Sequence, residues 1–145
     1  MRNTPVELQE IKYPVLIDKH AFRADSGGAG RYRGGLGLEV AYRMLQPCRA
    51  NINCERTVDP PWGLHGGQSA ATNDATIRRT DGTEQHVLKG TEIEIGAGDV
   101  VTFFTAGGGG FGDPRERPAV DVKRDVTEGL ITPAAAAKAY GAAAG

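Results

Sequence analysis

The chain has little that reacts and little that crosslinks. Its two cysteines, Cys48 and Cys54, are too few among 145 residues for a disulfide scaffold, and they point to a reducing compartment, the cytoplasm. No run of 18 apolar residues occurs, which excludes a helical membrane span of ordinary length. The opening Met1-Arg2-Asn3-Thr4-Pro5-Val6-Glu7 has no apolar stretch of the kind a secretory signal needs. Seventeen Lys and Arg stand against 18 Asp and Glu, for a net charge of −1. Without clustered cations, neither nucleic acid nor an anionic membrane is an expected partner. A Gly-Lys-Ser/Thr string is absent, so there is no P-loop. Gly-x-Ser-x-Gly is absent, so there is no nucleophile elbow. The Met-Lys-Met string of biotin carriers is missing as well.

Glycine is what the chain has in excess. Twenty-one glycines in 145 residues is about twice average usage, and most fall in three clusters, 26–37, 59–67 and 107–114. Around them the pattern reads as β. Asn3 to Pro14, punctuated by Pro5 and Pro14, is expected to be an extended lead-in. Strands are expected at Val15–Ala24, Leu38–Leu45, Ala50–Arg56, Ala75–Thr80, Thr83–Leu88, Thr91–Ile95 and Val100–Thr105. Asp81-Gly82 between two of these suits a type I′ hairpin turn. After Pro118, Asp121–Glu128 suggests a short helix stopped by Gly129. Thr132 and Pro133 then start a second helix over Ala134–Tyr140, closed by Gly141. The expectation is a single domain over 1–145, mainly β. Its β-barrel-like or sandwich body covers 15–105, and a helical tail covers 120–141.

The glycine clusters admit several readings. Gly28-Ala29-Gly30 and Arg33-Gly34 resemble a nucleotide loop superficially, but such a loop opens a helix, and here Leu38-Glu39-Val40-Ala41-Tyr42 reads as a strand. Flexible linkers are polar, whereas these clusters carry Tyr32, Leu36, Trp62, Leu64 and Phe111, which are expected to be buried. Close packing of extended, polyproline II-like segments is the preferred reading, because glycine removes the side chains that would hold such segments apart. Ordinary tight turns are the alternative.

Candidate chemistry is sparse, and no catalytic, cofactor-binding or metal residue is assigned. His20 and His86 fall in predicted strands among charged residues and read as surface. His65, inside the second cluster, is the histidine of most interest, but the sequence supplies no partner base. Cys48 and Cys54 share strand parity, and with His65 they would offer three zinc ligands. Cys-x(5)-Cys is, however, wider than the usual structural zinc spacing. Asp113-Pro114 and Asp25-Ser26 read as turns, and Asp99 with Asp113 does not read as an acid–base couple.

Taken in order, these motifs resemble one family. Asn-Thr-Pro-Val-Glu (3–7), Glu10, Tyr13-Pro14 and the string from Asp25 to Gly37 are similar to the hydantoinase B / 5-oxoprolinase family. So are Pro61-Trp62-Gly63-Leu64-His65-Gly66-Gly67, Gly98-Asp99-Val100, Gly107–Pro114, Asp125-Val126-x-x-Gly129 and Tyr140-Gly141. Position 65, often aromatic in that motif, is histidine here. In most members these motifs close a much longer chain. Their occurrence directly after a methionine resembles the small subunit of the acetophenone carboxylase type.

The resemblance implies a β-barrel-like fold running into polyproline II segments. It implies a biotin-independent, ATP-dependent carboxylation of an aromatic ketone with bicarbonate, through enol phosphate and carboxyphosphate. The expected partners are large hydantoinase A-like ATP-binding subunits, similar to the actin/sugar-kinase superfamily, and a truncated hydantoinase B-like subunit. ATP and Mg are expected on those partners. This chain is expected to be structural or site-completing and not catalytic alone. The alternatives are a subunit of an ATP-dependent hydantoinase or 5-oxoprolinase, and a small zinc-binding or interaction domain.

Overall fold

A computed structural model describes residues 4–141; Asn3, at the head of the expected lead-in, lies outside the described residues. The chain forms two compact units, each assembled from three stretches of sequence.

The first unit takes residues up to Ala21, Glu39–Glu55 and Asp74–Phe103. It opens with a helix, α1 (Val6–Lys12), where an extended lead-in was expected. The two prolines bracket the helix and do not break it. Pro5 stands at the N-cap, where its missing N–H is not needed, and Pro14 follows the C-cap residue Tyr13. Glu7 in the first turn and Lys12 in the last suit the helix dipole, yet none of the seven residues is buried.

Seven strands follow: β1 (Val15–Phe22), β2 (Leu38–Met44), β3 (Cys48–Asn53), β4 (Asp74–Arg78), β5 (Glu84–His86), β6 (Lys89–Ile95) and β7 (Val100–Phe104). They build a five-stranded sheet in the order β1-β2-β7-β4-β5 and a separate β3-β6 pair, and neither sheet closes on itself. The mainly β expectation holds.

The core of this unit is Ile52, Ala75, Ile77, Val87, Ile95 and Val101, with Met44, Cys48, Ala50, Cys54, Ile93 and Phe103 packed against it. β3 and β6 run antiparallel with Cys48 opposite Ile95 and Ala50 opposite Ile93. Beyond that point two steps on β3 match three on β6, so an extra residue bulges. Glu92 takes φ +53° there, and its N–H donates to the Asn51 side chain at 2.9 Å.

The β4–β5 hairpin forms where Asp81-Gly82 predicts it, but the turn differs from type I′. Of the two, Gly82 alone takes positive φ, at +87°. Its N–H donates to the Arg79 carbonyl at 3.0 Å, and the Arg79 N–H donates to the Thr83 carbonyl at 2.8 Å. That is a three-residue loop in which a four-residue turn is followed by a left-handed glycine. The Asp81 carboxylate accepts from the Thr83 N–H and hydroxyl, which fixes Asp81 outside the left-handed region.

Asp99, 3% exposed, is the buried charge of this unit. It accepts from Arg79 at 2.8 Å, from the Thr80 N–H at 3.0 Å and from the Gly96 N–H at 2.8 Å. The Arg79 hydrogen bond, helped by the two backbone donors, outweighs burial and holds the carboxyl below the usual carboxylate range.

The second unit takes Phe22–Leu38, Arg56–Asn73 and the residues from Phe104 onward. It contains all three glycine clusters, a short 3-10 turn at Pro114–Glu116, and two helices, α2 (Ala119–Thr127) and α3 (Pro133–Tyr140). The helical tail has the ends its sequence predicts. Gly129 takes φ +70° after α2 and Gly141 takes φ +79° after α3. The Thr132 hydroxyl caps α3 by accepting from the Ala135 N–H at 3.2 Å. Val122, Ile131, Ala136 and Tyr140 pack with Ala29 of the first glycine segment to form the core of this unit.

Candidate functional site

The three glycine segments of the second unit nest against one another, and the contacts between them are backbone on backbone. The segment around Gly107–Gly112 runs in the middle. The Gly28 N–H donates to the Gly108 carbonyl at 2.9 Å, and the Gly108 N–H donates to the Gly35 carbonyl at 2.8 Å. On the other side, the Gly110 N–H donates to the Gln68 carbonyl at 2.9 Å, and the Leu64 N–H donates to the Gly110 carbonyl at 2.9 Å. The first and second segments are joined by the Gln68 N–H donating to the Ala29 carbonyl at 2.7 Å.

Glycine is required because the carbonyls of one segment lie where the Cβ atoms of the next would be. A Cβ on Gly34 would overlap the Gly108 carbonyl, one on Gly109 the Trp62 carbonyl, and one on Gly110 the Ala29 carbonyl. Gly35, beside Gly34, faces open space. The preferred packing reading therefore holds. The nucleotide-loop comparison does not: Gly28 and Gly30 face the Gly110 and Phe111 backbone, and the strand β2 follows this segment.

Two polar devices tie the bundle down. Ser26, fully buried, donates its hydroxyl to the Arg23 carbonyl at 2.5 Å and accepts from the Gly37 N–H at 2.8 Å, which closes the ends of the first segment. Beside it, Asp25 takes φ +60° and accepts from the Thr132 N–H at 2.7 Å, holding the start of α3.

The second device is an ion triad. Arg33 Nε lies 2.9 Å from Asp125 Oδ2, and Arg117 Nη2 lies 2.7 Å from the same oxygen. The Asp125 side chain is 3% exposed. Burial alone would raise its pKa, but the hydrogen bond and charge of Arg33, followed by the charge of Arg117, hold it lowered. Arg117 also lies over the Tyr140 ring, 5.9 Å from its centroid. Sequence reasoning missed this triad. The available signal was the position of Asp125 on α2, three residues after the buried Val122 and so on the same face. A carboxylate in an apolar stripe asks for a buried cation, but nothing in the spacing singles out Arg33, 92 positions away.

The sequence-selected residues separate. His20 in β1 and His86 in β5 are exposed, and His86 Nδ1 sits 3.2 Å from Asp74. Cys48 and Cys54 pack toward the same core cluster, as their parity predicts, and burial followed by the Asp74 charge pushes the Cys54 thiol up. His65 takes φ +51° and sets its ring 4.9 Å from Phe111. Among the described residues no group of three His, Cys, Asp or Glu side chains is placed to hold a metal ion. Asp113 caps the 3-10 turn and pairs with Arg115, which is turn chemistry as expected.

One expectation is overturned. The large side chains of the glycine segments are not buried: Tyr32 is 61% exposed, Trp62 66%, Leu64 53% and Phe111 46%, while Leu36 is half-buried. Nested backbones leave no room for side chains between segments, so these groups project outward. They gather there. Tyr32 and Phe111 lie 6.3 Å apart between ring centroids, Arg31 lies over Tyr32, and Arg56 lies over Trp62.

Comparison with known proteins places this arrangement. The family profile described as hydantoinase B/oxoprolinase matches residues 1–114. An uncharacterised protein of Methanocaldococcus jannaschii is 38% identical over 138 residues, covering 95% of this chain and 24% of that protein. Caprolactamase subunit beta of Pseudomonas jessenii is 34% identical over 141 residues, covering 94% of this chain and 24% of that protein. The crystal structure of the ATP-dependent caprolactamase from the same organism superposes on 94% of this chain with a TM-score of 0.86 at 31% identity. Nucleotide-free acetone carboxylase shares the fold, with a TM-score of 0.83 over 95% of this chain at 22% identity. The chain thus spans about a quarter of the length of the relatives it matches most fully. By profile, sequence and fold, it belongs to the hydantoinase B/oxoprolinase family.

Proposed function

We propose that this chain is a structural, site-completing module of a multi-subunit, ATP-dependent enzyme of the hydantoinase family, working in the cytoplasm, with ATP and Mg held on partner subunits. The observation that carries this reading is the match of 94% of the chain, at a TM-score of 0.86, to 24% of an ATP-dependent caprolactamase chain. The glycine bundle supports it: it is a close-packed scaffold whose buried charges, Asp125 with Arg33 and Arg117, are spent in fixing the fold. The partners are large hydantoinase A-like ATP-binding subunits and a truncated hydantoinase B-like subunit.

For the reaction, opening of a cyclic amide is favoured by the 34% identity to caprolactamase subunit beta along nearly the whole chain. Carboxylation of an aromatic ketone such as acetophenone with bicarbonate, a C–C bond-forming ligase reaction implied by the motif resemblance, is the second reading. The test is co-expression of the chain with hydantoinase A-like and B-like subunits, followed by purification on a tag carried by this chain. The complex is then assayed for ATP-dependent turnover of caprolactam, a hydantoin and 5-oxoproline, and of acetophenone with bicarbonate. Bicarbonate-independent ring opening favours the first reading and bicarbonate-dependent loss of acetophenone the second. A chain that purifies alone contradicts the proposal.

A further inference from the structure

We infer that the aromatic face of the glycine bundle, built from Tyr32, Trp62, Leu64, His65 and Phe111, is the surface on which the remainder of a hydantoinase B-type polypeptide packs. The inference rests on the function proposed above and names the contact surface that the function needs. Its first support is the collection of side chains. Tyr32, Leu64 and Phe111, between 46% and 61% exposed, stand side by side on bridged backbone, the His65 ring packs on Phe111, and Trp62, 66% exposed, lies two residues before Leu64. An apolar patch of that kind on a folded protein marks a contact site. Its composition is that of an interface centre, where Tyr, Trp, Phe and Arg carry most of the energy. Two arginines lie over these rings, Arg31 at 5.7 Å from the Tyr32 ring centroid and Arg56 at 5.6 Å from that of Trp62.

The second support is rigidity. Tyr32 and Phe111 exchange a pair of backbone hydrogen bonds, at 3.0 and 2.9 Å, and Leu64 bonds to Gly110 and Gly112 at 2.9 and 3.0 Å. The side chains thus stand on backbone that the bundle has already fixed, so little conformational freedom remains to be lost on binding. A surface this preorganised is suited to an occupant. None of Tyr32, Trp62, Leu64, His65 and Phe111 lines either of two cavities in this unit, one of about 300 Å³ beside Asp25, Ser69 and Lys138 and one of about 370 Å³ beside Gly66, Asp113 and Arg115.

The identity of the occupant follows from length. The relatives that match 94–95% of this chain carry it as 24% of their own length, so in them the module is always joined to three further quarters of polypeptide. That body is the occupant proposed for this surface. Arg56 sharpens the match: its guanidinium lies on Trp62 and pairs with no carboxylate among the described residues. An acidic side chain of the body is therefore expected opposite it.

The test uses the full chain co-expressed with hydantoinase A-like and B-like subunits. A photo-reactive phenylalanine replaces Tyr32 in one preparation and the exposed Gln85 of β5 in another, and crosslinked peptides are read by mass spectrometry. Irradiation from position 32 is expected to yield peptides of the B-like body, and from position 85 none. Trp62→Ala and Phe111→Ala, both at exposed positions, are expected to keep the circular dichroism of the parent while weakening association at least tenfold. Position-32 crosslinks to a second copy of this chain, to an A-like subunit, or to nothing would overturn the inference while the complex itself still forms. A parent chain that captures no subunit at all overturns both this surface and the proposed function.

Discussion

Gly34 and Gly35 are neighbours with opposite duties. A methyl on Gly34 points into the Gly108 carbonyl, whereas one on Gly35 meets nothing within 4 Å. Gly34→Ala is expected to destabilise by about 3 kcal/mol or more, at the upper end of overpacking costs because backbone cannot step aside as a side chain can. Gly35→Ala should be neutral or stabilising by up to about 1 kcal/mol, through the reduced freedom of the unfolded chain. Urea unfolding of the two variants, side by side, checks this.

Asp125 is as tightly constrained as Gly34, by charge in place of space. Asp125→Asn leaves Arg33 and Arg117 buried without a countercharge, and is expected to cost about 3–5 kcal/mol in the same measurement. The native pKa values of Asp125 and Asp99 are both lowered. Each carboxylate therefore adds stability that is complete above the unfolded value near 4 and fades as pH falls through it toward the lower native value. Melting temperature should fall between about pH 5 and pH 3. Asp99→Asn, less stable at pH 7, should show a shallower fall.

Among the elements, those set by local chemistry were legible and those set by distant partners were not. Each of the seven expected strands and both tail helices is present, with ends displaced by up to three residues, as where Cys48–Asn53 replaces the expected Ala50–Arg56. Thr132→Ala should lower stability by about 1 kcal/mol through loss of the α3 cap, as read by chemical denaturation. The hairpin was legible in place but not in turn type, because the Asp81 carboxylate binds Thr83 and leaves Gly82 alone in the left-handed region. Helix α1 was misread because proline was taken as a breaker along the whole lead-in, when Pro5 only flanks a run of helix formers. The ion triad was illegible because Arg33 and Asp125 are joined by the packing of the bundle on α2 and not by spacing. Tyr32, Trp62, Leu64 and Phe111 were assigned to the interior on apolarity alone. The close approach that glycine permits is what turns them out.

At the scale of the whole molecule, the nested glycine segments make the second unit a close-packed body with Tyr32, Trp62 and Phe111 exposed on it. Chains four times as long carry the same module. Both facts support a part that works when joined to others, and composition alone did not reveal which reaction the whole performs. The most direct measurement is substrate-dependent ATP hydrolysis by hydantoinase A-like and B-like subunits, purified with and without this chain. The account predicts coupled hydrolysis when the chain is present and its loss when the chain is omitted or carries Gly34→Ala. Equal coupled activity without the chain would contradict it.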